Sequence, residues 1–241
     1  MGAPSPPIGN TAMPQRDSEP VTIEISGEAR VSGLLQRPPK AKALYVLAHG
    51  AGAGMTHPSL TSIANGLVER GIAVLRYQFL YMDKKTKRPD PPKLAQATVR
   101  AAVAEARRLL PKLPLFAGGK SFGGRMTSGA QAAEPLAGVL GLVFLGFPLH
   151  PAGKPGRERA DHLAQVHIPM LFLSGTRDAL AELDHLEPVI KGLGERATLK
   201  LFDQADHSFH VPAKSGRKDS DVLKEILDDF ANWVDKVIAA S

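Results

Sequence analysis

The sequence predicts an α/β protein: a mostly parallel central sheet of about eight strands, with helices on both faces. Two observations carry this. Short continuous apolar runs recur along the chain, as strands buried on both faces of a parallel sheet require. Between them lie segments whose apolar residues repeat at helical spacing.

Residues 1–20 include Pro4, Pro6, Pro7, Pro14 and Pro20 with almost no apolar periodicity, and read as a disordered tail. The folded domain is placed at 21–241. VTIEIS, from Val21, alternates apolar and polar residues like an edge strand, and Gly33 to Gln36 reads as its antiparallel partner. Buried strands follow at ALYVLA (43–48), IAVLRY (72–77), LPLFAG (113–118), VLGLVFLGF (139–147) and MLFLS (170–174). ATLKLF (197–202) alternates again and suits the far edge. Helices are expected over Ser59–Arg70, Leu94–Leu110 and Gly123–Ala133, and in a final segment with Val222, Ile226, Phe230, Trp233 and Val237 on one stripe. Trp233 reads as core. There are no internal repeats, and chain length and apolar content suit a single domain.

No apolar run approaches the ~20 residues of a membrane helix, and the N-terminus lacks a secretory pattern. With no Cys there are no disulfides and no thiol nucleophile. These readings make a cytoplasmic protein without membrane contact the expectation. The formal charge is +6, yet the basic clusters Lys84–Arg88 and Lys214–Lys218 carry no interleaved aromatics, so no nucleic-acid partner is expected. The eight His are scattered, H-E-x-x-H is absent and thiolates are lacking, so no metal and no cofactor are expected.

The stretch LFAGGKSFGG (115–124) allows two readings. A phosphate loop ending in Gly119-Lys120-Ser121 needs a glycine at 114, where Pro114 stands. The alternative, G-x-S-x-G over Gly119–Gly123, needs a strand before it and a helix after it, and both are predicted. Ser121 then stands exposed on a tight turn, with glycines on either side where side chains would collide.

A serine hydroxyl needs a base, and the base needs an orienting acid. Asp178, in SGTRD, lies just past a predicted strand; His207, in DHSF, lies just past the next. Both reach the rim that carries Ser121, in the chain order nucleophile, acid, histidine. His210 is the reserve base, and Glu182 or Asp184 the reserve acids; Asp206 adjoins His207 and points elsewhere. Donors for a developing oxyanion are expected from the N–H of Phe122 and from the loop LAHGAGAGM (47–55), with Ala51 as the donor. That loop is not a dinucleotide fingerprint, since Met55 replaces the last glycine.

Substrate contacts are expected from His49 and Gly50, and from Phe79 and Tyr81 in the long loop Gln78–Lys93. Lys120 reads either as a solvated or helix-packing lysine, or as an attractor of anionic substrate together with Lys84–Arg88. Only about twenty residues (147–167) are available for a cap, so the site is expected to be open and to favour small acyl groups.

Taken together, HGAGAGMTHP, GGKSFGG, SGTRD and DHSF resemble the α/β-hydrolases, and more narrowly the KANL3/Tex30-like branch near the dienelactone-hydrolase-like proteins. The resemblance spans roughly Val21 to Ala240. It implies the α/β-hydrolase fold with a minimal cap, and Ser121, Asp178 and His207 as the triad of a serine esterase acting on a small-molecule acyl substrate. Dienelactone hydrolases carry Cys at the elbow where this chain carries Ser121. The branch also implies a non-enzymatic alternative, a hydrolase fold serving as scaffold. Acyl transfer and peptide hydrolysis remain open on the same residues.

Overall fold

The computed structural model describes residues 18–27 and 29–241, so the expected tail, save its last three residues, lies outside the described residues. The strands are β1 (Glu19–Ser26), β2 (Ala29–Gln36), β3 (Ala43–Ala48), β4 (Ile72–Tyr77), β5 (Leu115–Lys120), β6 (Val139–Leu145), β7 (Met170–Gly175) and β8 (Ala197–Phe202). They form one sheet in the order β1-β2-β4-β3-β5-β6-β7-β8. β2 pairs antiparallel with both β1 and β4; from β4 to β8 every pairing is parallel. The helices are α1 (Pro58–Glu69), α2 (Leu80–Asp83), α3 (Pro92–Leu109), α4 (Phe122–Ala133), α5 (Leu183–Leu193) and α6 (Asp219–Ala239).

The continuous apolar runs are explained by two cores. Along β3, Leu44, Val46 and Ala48 join the core under α3 and α4, while Ala43, Tyr45 and Leu47 join the one under α1 and α6. A period-2 strand with helices on both faces has no polar side to show. Because the central strands are parallel, their carboxyl ends share one edge, and all the loops that matter chemically leave from it.

α6 closes the second core. Trp233 is buried, meets the edge of Phe116 at 5.9 Å, and lies on Gly141, where an added Cβ would stand 2.6 Å from the indole. Trp233→Ala is expected to cost about 3–5 kcal/mol in urea unfolding. Gly141→Ala should destabilise on its own, yet lose most of that effect in the Trp233→Ala background. An additive pair would refute the contact.

Candidate active site

β5 ends at Lys120 and α4 begins at Phe122, so one residue makes the turn. That residue, Ser121, takes φ 50° and ψ −113°, a conformation that costs a non-glycine residue on the order of 1–3 kcal/mol. The turn is possible only because its neighbours lack side chains. A Cβ on Gly119 would lie 2.3 Å from the Ala48 carbonyl oxygen, and one on Gly123 would lie 2.6 Å from that of His49.

Asp178 is set by the turn after β7, where its N–H donates to Gly175 O (3.2 Å) and its Oδ1 accepts the Leu180 N–H (2.8 Å). The loop after β8 folds on Asp206: Oδ1 accepts from the N–H groups of Ser208 (2.7 Å) and His210 (3.0 Å). His207 therefore leans over the sheet edge. Its Nδ1 lies 2.8 Å from Asp178 Oδ2, and its Nε2 lies 2.9 Å from Ser121 Oγ. Asp178 is buried, and its second oxygen faces His207. With the Nδ1 proton donated to Asp178, Nε2 is left to accept from the Ser121 hydroxyl. The reserve groups go elsewhere: His210 pairs with Asp219 at 2.9 Å in solvent, and Glu182 accepts from His150 Nε2 at 2.5 Å.

The loop after β3 lies against Ser121. A Cβ on Gly50 would fall 3.9 Å from that of Ser121. The N–H groups of Ala51 and Phe122 donate to no protein acceptor among the described residues, so both are free to meet an incoming oxygen. Side chains to which the sequence reading gave other roles or none brace this loop. The Gly52 N–H donates to Tyr81 Oη (2.9 Å), the Met55 N–H to Gln78 Oε1 (3.0 Å), and Met55 O accepts from the buried Arg76 (2.9 Å). Arg76 also donates to Gln36 and Thr61. The one signal for it was a guanidinium inside an otherwise apolar strand.

His49 is fully buried. Nδ1 donates to Gly50 O (2.7 Å), and Nε2 accepts the Phe79 N–H (3.0 Å). Burial, opposed by the Gly50 carbonyl and more weakly by Asp83, lowers its pKa to about 4, so the ring stays neutral and both bonds persist.

The expected contacts of Phe79 and Tyr81 with substrate need correction. Phe79 is 0% exposed and Tyr81 2%. Phe79 is wedged between His49, Tyr77 and Phe122, and the chain at α2 turns both rings inward, away from the substrate they were expected to touch. Lys120 is corrected too. It is neither a solvated lysine nor one aimed at a substrate: its Nζ donates to the His207 carbonyl oxygen and lies 4.6 Å from the centroid of the Phe209 ring.

Residues 41–235 match the family described as an alpha/beta hydrolase domain. The chain belongs to the α/β-hydrolase family. The fold of this hydrolase domain is shared with a dienelactone hydrolase from Anabaena variabilis (22% identity, TM-score 0.73, 91% of this chain and 97% of that one). It is shared too with a serine hydrolase without lid from Xanthomonas campestris (20%, 0.67, 93% and 95%). Est1E from Butyrivibrio proteoclasticus is a third (15%, 0.70, 91% and 99%). Among the described residues no helix is long and apolar enough to cross a membrane.

Burial, offset by the nearby Asp178 and Asp206, lowers the Lys120 pKa from 10.5 to about 8. Between these values the folded chain binds fewer protons than the unfolded one, so this group adds stability as pH rises from 8 to 10.5. Below pH 8 it costs on the order of 3 kcal/mol. Lys120→Met removes that cost but leaves the His207 carbonyl without its donor. The variant is expected to be at least as stable as the wild type in urea at pH 7, with any advantage shrinking toward pH 10.5. A clear loss of stability at pH 7 would contradict this account.

Proposed function

We propose that this α/β-hydrolase domain is a serine hydrolase of carboxylesterase type that cleaves a small carboxylic ester through an acyl-enzyme. The observation that carries the reading is the chain Asp178–His207–Ser121, with 2.8 and 2.9 Å between its links. Within the family, GGKSFGG and SGTRD favour the KANL3/Tex30-like branch.

In this reading His207 Nε2 takes the Ser121 proton as Oγ attacks the ester carbonyl. The oxyanion is met by the N–H groups of Ala51 and Phe122, and loss of either donor is expected to cost about 10²–10³ in turnover. The imidazolium, steadied by Asp178, returns its proton to the departing alkoxide. Water, deprotonated by the same nitrogen, then attacks the acyl-Ser121 ester. The carboxylic acid leaves, and Ser121 regains its hydrogen.

A fluorophosphonate should modify Ser121, as read by mass spectrometry of the labelled peptide, and His207→Ala should abolish the labelling. Asp178→Asn should lower kcat/KM on the order of 10³–10⁴. A folded wild-type protein that takes no label would displace the enzymatic reading in favour of the scaffold.

The segment between β6 and β7 contributes a short 3-10 turn (Glu158–Gln165), held down by the buried Leu149, Ala160 and Leu163. Nothing in it is long enough to cover an extended acyl chain. Among p-nitrophenyl esters, acetate and butyrate should exceed palmitate in kcat/KM by about 10-fold or more; a rate that climbs with chain length would contradict the open site.

A further inference from the structure

A groove of about 370 Å³ runs between the start of α3, one stripe of α4 and the 3-10 turn at 158–165. None of Ser121, Asp178 or His207 forms its walls. Its floor is apolar, with Met126 and Ala132 along α4, and Gln96 reaches across to Gly129. One end is cationic, where Arg125 and Arg159 meet with His162 beside them.

Arg125 is the unusual member. Its Nε is buried without a partner, and its guanidinium forms no hydrogen bond or ion pair with any described residue. It lies over the Phe122 ring, whose centroid is 5.9 Å away. Arg159 spends one amino group on the His150 carbonyl (3.0 Å) and pairs with no carboxylate among the described residues. The nearby acids do not neutralise the pair: Glu158 turns toward Gly156, and Asp161 acts on His162. Burial, and then the charge of Arg159, lower the Arg125 pKa, as expected of a cation with nothing opposite it. A half-buried guanidinium without an anion is an unfavourable arrangement. A planar carboxylate would accept from both arginines in the fork geometry that guanidinium favours. The apolar floor suits a hydrocarbon body better than the hydration shell of a phosphate.

We infer that this groove binds a small monocarboxylate with a short hydrocarbon body, its head between Arg125 and Arg159 and its tail along Met126 and Ala132. The site is separate from the chemistry at Ser121 and does not depend on it.

Calorimetric titration of the full chain with hexanoate, hexanamide and inorganic phosphate tests this. Hexanoate is expected to bind one to one with a Kd of about 1 mM or tighter. Hexanamide and phosphate should each bind at least about 10-fold more weakly. Arg125→Gln should weaken hexanoate by a similar factor, as should Ala133→Phe, which fills the groove from an exposed wall position. Should Arg125→Gln fail to fold, Ala133→Phe and Arg159→Gln decide the matter. Protein whose Ser121 has been blocked by a fluorophosphonate should bind hexanoate unchanged. No hexanoate heat, equal binding of acid and amide, tighter binding of phosphate, indifference to the folded variants, or loss of binding on blocking Ser121 would each overturn the inference.

Discussion

The site depends on how closely β5 approaches β3. Ala48, the last residue of β3, has the backbone of Gly119 on one side of the turn and that of Gly123 on the other, at distances no side chain survives. This double contact forces the chain to reverse in one residue and drives Ser121 into its strained conformation. It also fixes where the loop after β3 must leave the sheet. The nearness of Gly50 to Ser121 thus comes from a single packing constraint between neighbouring strands. A methyl group at either glycine would do more than weaken the fold: it would push Ser121 away from the loop after β3.

That loop is short, glycine-rich and without regular hydrogen bonding of its own, so its shape must come from outside. The protein supplies it with buried polar groups rather than apolar packing. Arg76 is fully buried with no carboxylate, and its charge is met by the Met55 carbonyl, Gln36 and Thr61; Gln36 in turn holds Asn65. Removing one member would leave the others unsatisfied in a low-dielectric interior, which makes such a network expensive to break and specific in shape. His49 does the same from the other side, and its neutrality is what lets one ring nitrogen donate and the other accept.

Much of this was legible. β3, β4 and β8 fall at the boundaries that their apolar runs set, and β6 starts where expected. The tight turn at Ser121 was readable because glycine at both flanks of a serine is a steric statement. His207 and Asp178 were readable because parallel strands deliver their following loops to one edge. The misses have physical causes. β5 runs two residues past its expected end, since glycines and a lysine disguise a strand whose neighbours do the burying. β2 starts four residues early because Ala29 to Ser32 pair at the sheet margin, where polar residues are tolerated. Phe79 and Tyr81 looked like pocket residues because they stand in a polar stretch, but α2, a single turn no periodicity could announce, rotates both into the interior. Nor could spacing reveal where the Lys120 amine ends, since its partner lies 87 positions further along the chain.

That last contact ties together two parts usually thought of as separate. Lys120 belongs to the turn that ends at Ser121, while His207 and Phe209 belong to the loop after β8, three strands away at the margin of the sheet. Through one ammonium group they are cut to fit each other. Within the family, then, position 120 should drift in step with 209 rather than with the glycines around it. A histidine loop transplanted from a relative would arrive without the support it evolved with. Anyone grafting a new substrate loop onto this scaffold must move the turn at Ser121 and the histidine loop as one piece.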